Sequence, residues 1–152
     1  LTALAACIPD DAARLQEHLR LSNLQTTRMR QAIQAWQAIR NSDAPPPKTD
    51  LYRYLFQHGR RAALDGLLLA QAGAPAAGQT GNWRSAYTFL HDTPEPRLPF
   101  TGSDLIKRGV KSGPAMGALL KRLQASWIRA GFPKQPEILA RLLEEALQPP
   151  KA

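Results

Sequence analysis

Apolar residues recur every three or four positions along most of this 152-residue chain, a spacing that predicts helices. Alternating β-branched runs are almost absent, valine and isoleucine are scarce, and the fold class expected is all-α. Leu1, Leu4, Ala5 and Ile8 share one helical face that ends near Pro9. Asp10 is placed to cap a second helix reaching about Leu21, with Leu15 and Leu19 turned inward. Ser22 and Gln25 form a capping box that opens a helix carrying Leu24, Met29, Ile33, Trp36 and Ile39. A loop stiffened by Pro45, Pro46 and Pro47 follows. Thr49 and Asp50 then cap a helix of Leu51, Tyr52, Tyr54, Leu55 and Phe56, which His58-Gly59-Arg60-Arg61 interrupts. Leu64, Leu67, Leu68 and Leu69 make the next run apolar nearly all round, so it is expected at the buried centre of a bundle.

Gly73 to Gly81 is a loop of small residues, and Asn82 is placed to cap a helix carrying Trp83, Tyr87, Phe89 and Leu90. The three prolines between Asp92 and Pro99 cannot continue a helix. They divide a helical body, residues 1–92, from a tail module, residues 97–150. Within the tail, Thr101 and Asp104 make a second capping box, with Leu105, Ile106 and Val110 as the apolar side of a short helix. Gly109 stands where a left-handed C-terminal residue is expected. Gly113 and Pro114 open a longer helix with Met116, Leu119, Leu120, Leu123, Trp127 and Ala130 on one side, stopped by Gly131. After a turn at Phe132–Pro136, a helix from Glu137 to Leu147 offers Ile138, Leu139, Leu142, Leu143 and Ala146 back to the module, and Pro149 and Pro150 end it.

Charge changes the picture from a generic bundle to a binding protein. The chain carries a net +8 and has a pI near 10.3. Between Arg97 and Lys134 eight cations face one acid, Asp104, a net of +7, so the basic character is local. A polyanion is the partner this favours. Lys121, Arg122 and Arg129 point away from Leu120 and Trp127, toward solvent or a ligand. Gly113, Gly117 and Lys121 form a strip at i, i+4 and i+8, with Gly113 expected to admit a phosphate and Gly117 expected to pack against the short helix at Leu105. Arg28, Arg30 and Arg40 could extend a phosphate-binding track, but an ordinary solvated face is the expectation, while His58 with Arg60 and Arg61 fits a phosphate site or a helix junction exposed to solvent equally well. Trp83 and Trp127 are expected in the core.

No apolar run is long enough to span a membrane, which leaves a membrane partner unsupported. The single Cys7 builds no disulfide framework, and with His18, His58 and His91 it assembles no metal-ligand spacing. Leu4-Ala5-Ala6-Cys7 has the form of a lipoprotein cleavage box but lacks a basic leader before it, and a helix face explains it better. Asp10-Asp11 and Glu144-Glu145 are adjacent pairs that do not face one another on a helix, so no catalytic carboxylate couple is expected, and no nucleotide-binding glycine loop occurs. An opening without methionine, in mid-pattern, predicts a piece of a longer protein.

Leu98-Pro-Phe-Thr-Gly-Ser-Asp-Leu-Ile through Gly109, then Gly113-Pro114 to Gly117, Leu120 and Trp127, resembles the C-terminal motif of bacterial tRNA nucleotidyltransferases, the CCA-adding enzymes and related poly(A) polymerases. Arg20-Leu-Ser-Asn and the Leu64–Leu69 helix resemble the body that precedes that motif. The resemblance implies an all-helical C-terminal region that holds tRNA by its backbone, in the cytoplasm, beside an N-terminal catalytic head that binds Mg²⁺ and CTP or ATP. The head's motifs are not in this sequence, so no catalytic residue, metal or cofactor is assigned to it. The contacts implied are Lys107, Arg108, Lys111, Ser112, the Gly113 N–H, Lys121 and Arg122. A helix-hairpin-helix DNA-binding module is the alternative, but Lys111 and Ser112 intervene where that hairpin returns to glycine. A protein–protein adaptor leaves the local +7 without a purpose.

Overall fold

The computed structural model describes residues 9–74 and 82–148. The expected helix over Leu1–Ile8, Cys7, most of the Gly73–Gly81 loop and Pro149–Pro150 lie outside them. Among the described residues there are seven helices and no strand, in agreement with the all-α expectation. They are α1 (Pro9–Leu19), α2 (Asn23–Ile39), α3 (Lys48–Gly73), α4 (Trp83–Asp92), α5 (Gly102–Ile106), α6 (Pro114–Arg129) and α7 (Pro136–Leu147). They form two compact units, Leu1–Glu95 and Pro96–Ala152.

In the first unit α3 packs against α2 and α4, and α1 against α2. The capping box at the start of α2 forms as expected: Gln25 N–H donates to Ser22 Oγ at 3.3 Å and Ser22 N–H to Gln25 Oε1 at 2.8 Å. Two other caps fall elsewhere. Asp10 is inside α1, not ahead of it. The cap of α3 is Pro47, whose carbonyl accepts from Asp50 and Leu51 at 2.9 Å, so Thr49 and Asp50 already sit in the first turn. Asn82 does hold the cap position of α4, but its side chain makes no cap hydrogen bond.

Gly59 breaks α3 as its sequence predicts, with φ 73° and ψ 160° inside the run. Beyond the break, the buried stripe is Ala62, Ala63, Gly66, Leu67 and Ala70. This corrects the expectation of a leucine-centred helix: Leu68 is 48% exposed, and Leu64 and Leu69 are only half-buried. The small residues let α2 come close. A Cβ added to Gly66 would lie 2.8 Å from both Ala35 Cβ and the Trp36 amide nitrogen, and closer still to the Tyr54 hydroxyl. Burial thus follows backbone proximity, not side-chain bulk. Ile39, Leu51, Leu55, Trp83 and Leu90 complete this core. Leu19, expected inward, is 45% exposed in the last turn of α1, which Arg20 follows with a left-handed φ of 52°. Arg28 pairs bidentately with Asp65 at 2.8 and 2.9 Å, tying α2 to α3, while Arg30 and Arg40 are exposed.

In the second unit Leu105, Leu119, Leu123, Leu143 and Ala146 form the core, with Phe100, Val110, Met116 and Leu120 against it. Trp127 is buried as expected, and its indole N–H donates to Pro133 O at 2.9 Å. Ile106 departs from expectation. It is 55% exposed, because five residues of helix can turn only Leu105 fully inward.

Candidate nucleic-acid interface

The basic turn is set up by two end signals. At the start of α5, Thr101 N–H and Oγ1–H donate to Asp104 Oδ2 at 2.9 and 2.6 Å, and Asp104 N–H returns to Thr101 Oγ1 at 3.3 Å. These hydrogen bonds first, and the nearby Lys107 and Arg108 cations after them, hold the Asp104 carboxyl below its ordinary range. The acid in this stretch is therefore spent on the cap. At the other end, Gly109 takes φ 85°, its N–H donates to Ile106 O at 2.9 Å, and Val110 N–H donates to Leu105 O at 3.1 Å. That pair of bonds is a Schellman motif, with Val110 returned to the core beside Leu105. The same device closes α6: Gly131 at φ 80°, Gly131 N–H to Ile128 O, Phe132 N–H to Trp127 O, and the two rings in edge contact at 4.9 Å.

Lys107, Arg108, Lys111 and Ser112 are thereby held on an exposed connection between α5 and α6. Gly113 caps α6 with φ 145° and no side-chain hydrogen bond, and Pro114 occupies the first helical position. Lys107, Arg108, Lys111 and Lys121 make no ion pair among the described residues. The Gly113–Gly117–Lys121 edge is open along its length. A Cβ added at Gly113 or Gly117 would meet nothing within 4 Å, so Gly117 is not the packing residue the sequence suggests. Close approach of α5 to α6 occurs instead at Gly102, 3.3 Å from Met116 Sδ if a Cβ is added.

Arg122 differs from the other cations. Its Nη2 donates to Ala146 O at 2.6 Å, satisfying a carbonyl in the last turn of α7. No local signal links residues 24 apart, so the sequence pattern groups Arg122 with the exposed cations of the tail. Among the described residues no group of histidine, cysteine, aspartate or glutamate is arranged to hold a metal ion. A hollow of about 290 Å³ in the first unit is walled by Ala38, Ile39, Pro46, Pro47 and Tyr54. Its charged groups, Asp50 and Arg53, pair with each other at 3.7 Å.

The CCA-adding enzyme of Limosilactobacillus fermentum is 30% identical over 150 residues, which is 96% of this chain and 36% of that enzyme. The chain is similar to part of a CCA-adding enzyme. It spans about a third of the length of that curated relative, and the match runs through both compact units. No family model matches the chain. A partial match to a CCA-adding enzyme agrees with the resemblance carried by residues 98–127 and with its extension into the first unit. Among the described residues no helix is long and apolar enough to cross a membrane.

Proposed function

We propose that the second unit grips the ribose–phosphate backbone of tRNA. In this proposal the chain is the RNA-holding, C-terminal part of a tRNA nucleotidyltransferase of the CCA-adding or poly(A)-polymerase type. The observation that carries it is the open glycine edge of α6 flanked by cations that have no ion-pair partner among the described residues. Two missing side chains bring helix backbone within reach of a phosphate, and Lys107, Arg108, Lys111 and Lys121 neutralise it. Ser112 and the Gly113 N–H add donors at the tip. Arg122 contributes only what its bond to Ala146 leaves. The partial likeness to a CCA-adding enzyme supports this choice of polyanion. Such a grip reads the shape and backbone of a folded RNA, not its bases. Mg²⁺ and the nucleotide belong, on this proposal, to a catalytic head outside the chain, and the working compartment is the cytoplasm.

Binding of tRNA measured across a salt series tests this. Affinity falls linearly on a log–log plot, and replacing Lys107, Arg108 and Lys111 together by alanine lowers the slope by about 3 while helix content is unchanged. A flat salt response, or loss of binding only through unfolding, rules out a backbone clasp. Equal binding to duplex DNA at matched salt would favour the helix-hairpin-helix alternative.

A further inference from the structure

Arg60 is a cation that the binding site does not use. The break at Gly59 restarts α3 at Arg60, and a restarted helix presents unsatisfied N–H groups at its N-terminal end. Glu95 supplies the acceptor: Arg60 N–H donates to Glu95 Oε1 at 2.9 Å. The Arg60 side chain does the converse for α4, whose last carbonyls have no intrahelical donor. Its Nη1 donates to Leu90 O at 2.8 Å and to His91 O, and its Nη2 to Thr93 O at 2.8 Å. A carboxylate thus sits at one helix N-terminus and a guanidinium at another helix's C-terminus, each the sign that the helix dipole favours. Both come from one pair of residues, 35 apart in the chain.

We propose that Arg60 and Glu95 form a latch fastening the root of the proline-rich connection to the first unit, so that the free joint begins only after Glu95. Composition alone marks the whole Asp92–Pro99 stretch as non-helical and as the boundary between body and tail. The latch gives its first residues the rigidity of α4 and leaves Pro96–Pro99 as the segment without such ties. Arg60 is therefore a positioning residue for the chain's exit from the first unit, not a phosphate ligand. Its planar fork reaches three carbonyls, which a lysine ammonium on the same stem cannot reproduce.

Backbone ¹⁵N relaxation on the intact chain tests this. Thr93 and Glu95 are expected to relax like α4, and Arg97 to be more mobile. In Arg60→Lys, Thr93 and Glu95 become as mobile as Arg97, while α6 and α7 do not change. Glu95→Gln, which keeps an acceptor but removes the charge, gives a smaller effect in the same direction and guards against misfolding of the first variant. Wild-type Thr93 and Glu95 as mobile as Arg97, or Thr93 and Glu95 unmoved in Arg60→Lys, would overturn the latch.

Discussion

Tyr54 combines a buried ring with a buried, unsatisfied hydroxyl. The ring lies beside His58, centroids 4.9 Å apart, and the hydroxyl has no hydrogen-bond partner among the described residues. Burial pushes the phenol well above its ordinary range, since the site has nothing to stabilise a phenolate. An unsatisfied buried hydroxyl costs about 1–3 kcal/mol. Tyr54→Phe should therefore raise the stability of the first unit by about 1 kcal/mol in a denaturant titration. Gly66→Ala should do the opposite, lowering it by about 1–3 kcal/mol through overpacking, because its Cβ would press on Ala35, the Trp36 amide and the Tyr54 hydroxyl. None of this shows in the sequence. Tyr54 sits at an ordinary apolar helical position, and Gly66 looks like a weak point in a helix until α2 is seen against it.

Elements divide into those whose ends are written locally and those whose faces are not. The Ser22 and Thr101 boxes and the Gly109 and Gly131 terminators involve partners within five residues, and the break at Gly59 follows from the glycine's own positive φ, so the chain announces them. Which side of a helix is buried depends on the neighbour, and there the pattern misleads for Leu19, Leu68, Ile106 and Gly117. Gly117 gives the sharpest test. An exposed glycine in a helix interior costs about 1 kcal/mol relative to alanine. Since an added Cβ meets nothing, Gly117→Ala should stabilise the second unit by about 1 kcal/mol in thermal unfolding. The same variant should weaken tRNA binding at constant salt slope, as the methyl holds the backbone off without removing a charge. Unchanged affinity would mean that the RNA does not lie on this edge.

At the scale of the molecule, charge and pH act on different units. Nearly all the net positive charge lies between Arg97 and Lys134, in the second unit, and salt should act chiefly there. Acid should act on the first unit through His58, whose pKa burial lowers. A histidine with a folded pKa below its unfolded value leaves stability intact above the unfolded pKa, about 6.5, and subtracts from it as pH falls toward the folded one. The unfolding midpoint of the first unit should accordingly drop between pH 7.5 and 5.5. His58→Gln should flatten that dependence, and an identical slope in the variant would assign it to other groups.

Residue order and composition suffice for the helical class, most helix ends, the concentration of cations between Arg97 and Lys134 and the likeness to part of a CCA-adding enzyme. Each of these rests on interactions of short range along the chain, on composition, or on residue order. Which cations are paired emerges only once the helices are packed. Arg28 meets Asp65, Arg60 meets the end of α4 and Glu95, and Arg122 meets Ala146, across 24 to 37 residues. Nothing in local spacing encodes such pairings, because they exist only where packing brings one helix's unsatisfied carbonyls or carboxylates to another helix's side chains. The open edge at Gly117 was likewise settled by which neighbour did not arrive.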